Sequence, residues 1–243
     1  MSRSIDIEII ENLSKYRHSA LILFGSRSRG DFDAQSDIDI LEITENPHRP
    51  YSVDHFNYST YTLDQLINMA QSGSLFVWHI ITEGKVIIGD KDIITQLEQN
   101  FIKPNNYDDF RNEILSAARL LDISQLEYIR NEKGYYGLLC YLFRSYLYSL
   151  CADENRLTFS IKEIAKMYKD SRLVRLFNMK YQKHITFDDY SWCKKIFESY
   201  TNTKFINKYG DSSILLNKIK KDSKFTLNIG VHFLKDSIED ISY

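Results

Sequence analysis

Asp37 and Asp39 stand two positions apart in Asp37-Ile38-Asp39-Ile40-Leu41, a run that is otherwise apolar. On a β-strand that spacing turns both carboxylates to one face. Such a pair repels itself in water, and charge inside an apolar strand is costly unless compensated. A hard divalent cation such as Mg²⁺ relieves both problems, binding carboxylate together with phosphate oxygens. Eleven positions before Asp37 lies Ser26, within Gly25-Ser26-Arg27-Ser28-Arg29-Gly30. A Gly-Ser turn offers backbone N–H groups and a hydroxyl to triphosphate oxygens. Arg27 and Arg29 add guanidinium donors whose geometry matches phosphate. Each piece alone is common, but their order and spacing describe a site for nucleotide phosphates beside metal. Two ions a few ångströms apart could activate an attacking hydroxyl and steady a leaving pyrophosphate.

These residues need a strand–turn–strand frame. Ala20 to Phe24 is an apolar run ended by Gly25, which reads as a buried strand, and Ser26 to Gly30 can open a short helix. Asp37 to Thr44 reads as the second strand, and Pro47 and Pro50 then turn the chain. Ser52 to Tyr61 alternates and is rich in Tyr, Thr and Phe, which predicts a third strand. A helix from Asp64 capped by Thr62, a helix over Leu75 to Thr82 and a short strand over Lys85 to Ile88 complete this part, which ends near residue 95. Ile5 to Tyr16 has helical spacing in front of it.

The remainder reads as helical. Asp108 to Arg130 carries Phe110, Ile114, Leu115, Ala118 and Leu121 along one stripe. Tyr135 to Cys151 is apolar nearly all round, with Arg144 as its one charge, and suits the centre of a bundle. Further helices are expected over about 160–169, 171–182, 187–200 and 224–240, and Pro104 with Asn105-Asn106 makes a plausible hinge. The fold class is therefore α/β (α+β): a small mixed-sheet domain over 1–95 and a C-terminal helical bundle domain over 96–243.

The 243 residues are 43% hydrophobic, with 17 Tyr and 14 Phe, which excludes a disordered chain. The charged N-terminus lacks the apolar core of a secretory leader, and no run approaches a membrane span. Cys140, Cys151 and Cys193 are odd in number and set among apolar neighbours, which fits reduced core thiols. A cytoplasmic location is expected. Charge is uneven: Ser160 to Lys221 holds 14 Lys/Arg against 6 Asp/Glu, a local +8 in a chain of formal charge −2. That is either a surface for polyanions or simply solvated helix faces.

Gly25-Ser26-Arg27-Ser28-Arg29-Gly30 followed by Ser36-Asp37-Ile38-Asp39-Ile40 resembles the signature of the DNA polymerase β-like nucleotidyltransferase superfamily, most of all its bacterial minimal and antibiotic-type members. The resemblance covers about residues 5 to 95. The stretch Gly73 to Gly89, with Phe76, His79, Glu83 and Gly84, is similar to the segment that closes this domain in bacterial relatives. It implies transfer of a nucleoside monophosphate from a nucleoside triphosphate, ATP foremost. Gly25, Ser26, Arg27 and Arg29 would be on the nucleotide, with Asp37 and Asp39 on Mg²⁺. Family members usually carry a third carboxylate on the next strand of the sheet, where it helps activate the acceptor hydroxyl. Here the carboxylate of the expected third strand is Asp54, the candidate third catalytic acid. It follows Asp39 by only fifteen residues; if residues 44 to 51 form a tight hairpin, Asn57 or Ser59 lies nearer the metal.

The neighbouring polar residues have blander readings. His79, beside Phe76 and Trp78, reads as a satisfied core histidine, and Glu83 and Lys85 as solvated flanks of a turn. Arg144 either pairs with a buried acid or faces the nucleotide cleft. The set Tyr135, Tyr136, Tyr141, Tyr146 and Tyr148 reads as core, and Lys218 to Lys221 is too short to be an RNA-binding signature. The leading expectation is an Mg²⁺-dependent nucleotidyltransferase whose helical domain shapes the acceptor site. The acceptor would be an RNA or tRNA end, a protein or a small molecule, and the resemblance suggests a toxin–antitoxin or phage-defence setting. The alternatives are a catalytically reduced nucleotide-sensing or partner-neutralising protein of the same fold, and an aminoglycoside nucleotidyltransferase.

Overall fold

The computed structural model describes residue 14 and residues 17–219 and 223–238. The helix expected over Ile5 to Tyr16, and Lys220 and Lys221 of the basic stretch, lie outside them. The chain divides into two compact units, Met1–Asn105 and Asn106–Tyr243. The first ends about ten residues later than the expected 95. The reason is a helix missed in the sequence, Ile93–Asn100, whose Ile93 and Leu97 are buried in the N-terminal core. The fold class is the expected α/β.

The N-terminal unit is a five-stranded mixed sheet with helices on one face. In chain order it holds β1 (Ala20–Phe24), α1 (Gly25–Arg29), β2 (Ile38–Ile43), β3 (Tyr51–Val53), β4 (Phe56–Tyr61), α2 (Leu63–Gln71), α3 (Leu75–Glu83), β5 (Lys85–Ile88) and α4 (Ile93–Asn100). The strand order is β3-β4-β2-β1-β5. β1 is antiparallel to β2 and β5, and β2 is parallel to β4. All five residues of β1 are buried, which is why it reads as an unbroken apolar run. Alternation sends Leu41 and Ile43 of β2 to one face, where they pack with Leu66 and Ala70 of α2 and Val77 and Ile80 of α3. Ile40 faces the other way, with Leu21, Leu23 and Tyr58. Glu42 shares that second face, fully buried; the Tyr51 hydroxyl donates to it at 3.1 Å and His18 Nδ1 lies 3.6 Å away. α2 starts at a reciprocal cap: Gln65 N–H donates to Thr62 Oγ1 at 3.0 Å, and Thr62 N–H donates to Gln65 Oε1 at 2.9 Å.

The expected third strand, Ser52 to Tyr61, is a tight hairpin. β3 and β4 pair antiparallel with Val53 opposite Phe56, and Asp54 and His55 form the turn. Asp54 takes φ 52°, the left-handed conformation that Asp tolerates better than most residues.

The C-terminal unit is helical: α5 (Asp108–Ala118), α6 (Gln125–Arg130), α7 (Glu132–Asp153), α8 (Ile161–Met167), α9 (Arg172–Asn178), α10 (Phe187–Thr201), α11 (Ser212–Ile219) and α12 (Lys224–Ile238). The single helix expected over Asp108 to Arg130 breaks at Asp122–Ser124, where Ser124 caps α6 through Glu127 N–H at 3.2 Å. The break is held from outside. Lys194 and the Asn207 N–H both donate to the Asp122 carboxylate, at 2.6 and 3.0 Å. α7 is the core helix, with Leu138, Leu139, Leu142, Phe143 and Leu147 fully buried. Arg144 lies on its exposed side, so α7 is not apolar all round. The tyrosines serve the core: Tyr135 donates to Glu127 at 2.6 Å, Tyr136 to the Leu176 carbonyl and Tyr148 to the Phe159 carbonyl at 3.0 Å. Among the described residues no helix is long and apolar enough to cross a membrane.

The three cysteines are free thiols. Burial pushes the Cys140 and Cys151 thiols up to about 11 and Cys193 up to about 12. The thiolate is the reactive form, so all three should resist alkylation at neutral pH. In native protein, 5,5′-dithiobis(2-nitrobenzoate) should label them at least about tenfold more slowly than in urea-unfolded protein. Prompt native labelling of Cys193 would contradict its burial.

Candidate functional site

The site forms where β1 ends and β2 begins. Register pairs Phe24 with Asp39, so the Asp39 carboxylate lies beside the turn that leaves β1. That turn opens with Gly25 at φ +74°. A Cβ built on Gly25 would sit 2.7 Å from Asp39 Oδ2, so glycine here meets two demands, a left-handed backbone and room for a carboxylate. Ser26 follows in the first turn of α1, and its hydroxyl makes no hydrogen bond among the described residues. Asp37, expected as the first residue of this strand, instead immediately precedes β2; the next N–H, of Ile38, donates to the His55 carbonyl at 2.8 Å. Extended pairing thus reaches the Asp37 end, and alternation puts Asp37 and Asp39 on one face. The structure thus sets Asp39 against Gly25, the residue before Ser26, and leaves Asp37 at the start of the same strand.

The two arginines are engaged within the unit. Arg27 donates twice to the Ser36 carbonyl, at 3.3 and 2.9 Å, and its guanidinium lies 4.2 Å from the centre of the Phe32 ring. It thereby closes the loop that delivers Asp37. Arg29 pairs with Asp31 at 3.1 Å and with Glu83 at 2.6 Å. Glu83 is not the solvated flank expected: its side chain is only 7% exposed and it also meets His79 Nε2 at 2.7 Å. The Ser28 hydroxyl donates to the Glu83 carbonyl, and Lys85 donates to the Ser28 carbonyl. His79 stacks edge-on against Phe24 with ring centres 5.4 Å apart, the satisfied histidine its neighbours implied. The end of α3 therefore clamps α1 and, through it, the turn at Gly25.

Asp54 does not stand on a strand. It lies exposed in the hairpin turn, beyond the end of the β2–β4 pairing, because the turn falls at 54–55 rather than at 44–51. The residue opposite Asp39 on β4 is Asn57. Its Nδ2 donates to Asp39 Oδ1 at 3.4 Å, and its Oδ1 accepts from the Ser52 hydroxyl at 2.8 Å. A parallel β4 returning through a hairpin was not visible in the sequence, although Asn57 was a candidate on that strand.

The donor set decides what can bind. Two hard carboxylates beside a Gly-Ser turn are a donor set that would suit one divalent cation shared with phosphate oxygens. Among the described residues no three His, Cys, Asp or Glu side chains are placed together to hold a metal.

Residues 8–93 match the family described as Polymerase beta, Nucleotidyltransferase. That segment belongs to the DNA polymerase β-like nucleotidyltransferase superfamily, whose members in general transfer nucleotidyl groups from nucleoside triphosphates with divalent metal. No curated protein matches the chain. Among solved structures, a nucleotidyltransferase-like protein from Exiguobacterium sibiricum 255-15 is 14% identical over 96% of this chain and 88% of that one, with a TM-score of 0.28, a likeness too distant to bear on the fold.

Gly25→Ala should cost about 1–2 kcal/mol from the backbone alone, measured by urea unfolding. It should also displace the Asp39 carboxylate and weaken nucleotide-dependent Mn²⁺ binding; unchanged binding would show that the close approach is dispensable. Glu83→Gln removes the shared partner of Arg29 and His79. Since Arg29 keeps Asp31, the expected loss is about 2 kcal/mol rather than that of a fully stranded charge.

Proposed function

We propose that this chain is an Mg²⁺-dependent nucleotidyltransferase that moves a nucleoside monophosphate from a nucleoside triphosphate, ATP foremost, to a hydroxyl acceptor. The observation that carries the reading is the Asp39 carboxylate set against the Gly25 backbone, one residue from the Ser26 hydroxyl. In this reading the Gly25-Ser26 turn and the Ser26 hydroxyl bind the triphosphate, and Asp37 and Asp39 hold the cation. A divalent ion bound there neutralises phosphate charge and steadies the leaving pyrophosphate. Arg27 fixes the loop before Asp37, and Arg29 fixes α1 to α3, so both act by positioning the groups that touch substrate. Asp54 is left out of the set because it stands in the turn.

An RNA end is the favoured acceptor. What supports it is the +8 balance from Ser160 to Lys221, which suits a polyanion and disfavours a cationic aminoglycoside. The toxin–antitoxin or phage-defence setting rests on the resemblance alone. A second reading, a catalytically reduced nucleotide-binding protein of the same fold, is favoured by Asn57 standing opposite Asp39.

The test is incubation with α-labelled nucleoside triphosphates, Mg²⁺ and a panel of RNA, protein and aminoglycoside acceptors. Labelled RNA with released pyrophosphate is expected. Asp37→Asn should lower transfer by at least about 100-fold with the fold intact by circular dichroism. No labelled product and no pyrophosphate across the panel would leave the binding protein as the better reading.

A further inference from the structure

We infer that Asn57 limits the N-terminal unit to a single divalent cation, held by Asp37, Asp39 and the nucleotide's phosphates, so that no second ion is available from this unit to activate the acceptor. The inference rests on the reading of Asp37 and Asp39 as cation ligands. Register sets Asn57 directly across from Asp39. The orientation of its amide is fixed from both sides. Asp39 can only accept, so Nδ2 faces it at 3.4 Å, and the Ser52 hydroxyl donates to Oδ1 at 2.8 Å. The amide N–H thus points at the Asp39 oxygen that a second cation on this side would have to share, and a donor N–H repels a cation.

Among the described residues no third carboxylate is placed with Asp37 and Asp39 to fill the gap. Glu42 is on β2 but on the opposite face of the sheet, fully buried beneath the Tyr51 hydroxyl. Asp54 is in the hairpin turn, and Asp31 is paired with Arg29. Two cations about 4 Å apart repel strongly and require anionic ligands on both sides. One cation needs only one or two carboxylates plus substrate phosphates, and that is the set in place.

The number of bound ions separates the cases. The probe is Mn²⁺, titrated by electron paramagnetic resonance into protein saturated with the α,β-methylene analogue of ATP. The wild-type complex should bind one tight Mn²⁺ per chain, and Asn57→Asp should bind two. Asn57→Ala, which removes the amide without adding charge, should still bind one, and it carries the comparison if the aspartate variant does not fold. Transfer by Asn57→Asp should rise at least about tenfold over wild type. Two Mn²⁺ in the wild type, or one in a folded Asn57→Asp, would overturn the single-ion inference and leave the nucleotide site standing. No nucleotide-dependent Mn²⁺ in any variant would instead overturn the reading of Asp37 and Asp39 on which it rests.

Discussion

The candidate site depends on one close approach. The Asp39 carboxylate occupies the space where any side chain at position 25 would begin. The approach is set by register: β1 and β2 are antiparallel, and Phe24 is paired with Asp39 at the end of β1. Where β1 stops, the chain must leave the sheet sharply, and Gly25 at φ +74° lets it do so while leaving room for the carboxylate. The Gly25-Ser26 turn and the Asp39 carboxylate are thus neighbours through sheet geometry, without a long loop to bring them together.

A short helix after such a turn has little stability of its own, since α1 spans only five residues. The protein supplies what the helix lacks through charge. Arg27 reaches forward to the Ser36 carbonyl, and Arg29 reaches across to Glu83, which in turn meets His79. Both basic residues of the motif thus make contacts that hold the frame. This explains why Glu83 is buried at the end of an apolar helix: with Arg29 and His79 on it, the carboxylate is compensated.

Where local chemistry dominates, the sequence was legible. An apolar run ended by glycine marked β1, Thr62 marked the start of α2, and the apolar stretch around Asp-x-Asp marked β2. Where tertiary partners decide, it was not. The hairpin between β3 and β4 turns at Asp54-His55, a pair with no glycine or proline to announce it, so two strands looked like one. The α5–α6 break is imposed by Lys194 and Asn207 on Asp122, contacts more than 70 residues apart in sequence. Guanidinium matches phosphate and carboxylate alike, and only the fold shows that Glu83 is within reach of Arg29. The helices Ile93–Asn100 and Ser212–Ile219 are short, and their apolar positions carry too few turns to stand out.

Asn57 shows how the neighbourhood of the proposed cation site is tied to the fold that carries it. Asp37 and Asp39 already place two like charges at the start of β2, and each further carboxylate would add repulsion there. An amide opposite Asp39 does the reverse. It donates to the carboxylate, accepts from Ser52 and links β4 to both its neighbours in the sheet, β2 and β3. The sheet can therefore hold its register without metal, and the strand pairing that sets Asp39 against Gly25 does not wait on a bound ion. A carboxylate at the same position would bind cations more strongly, but it would repel Asp39 and lose the donor that joins the strands. Tighter metal binding and a preformed site pull in opposite directions at this residue, and asparagine favours the preformed site.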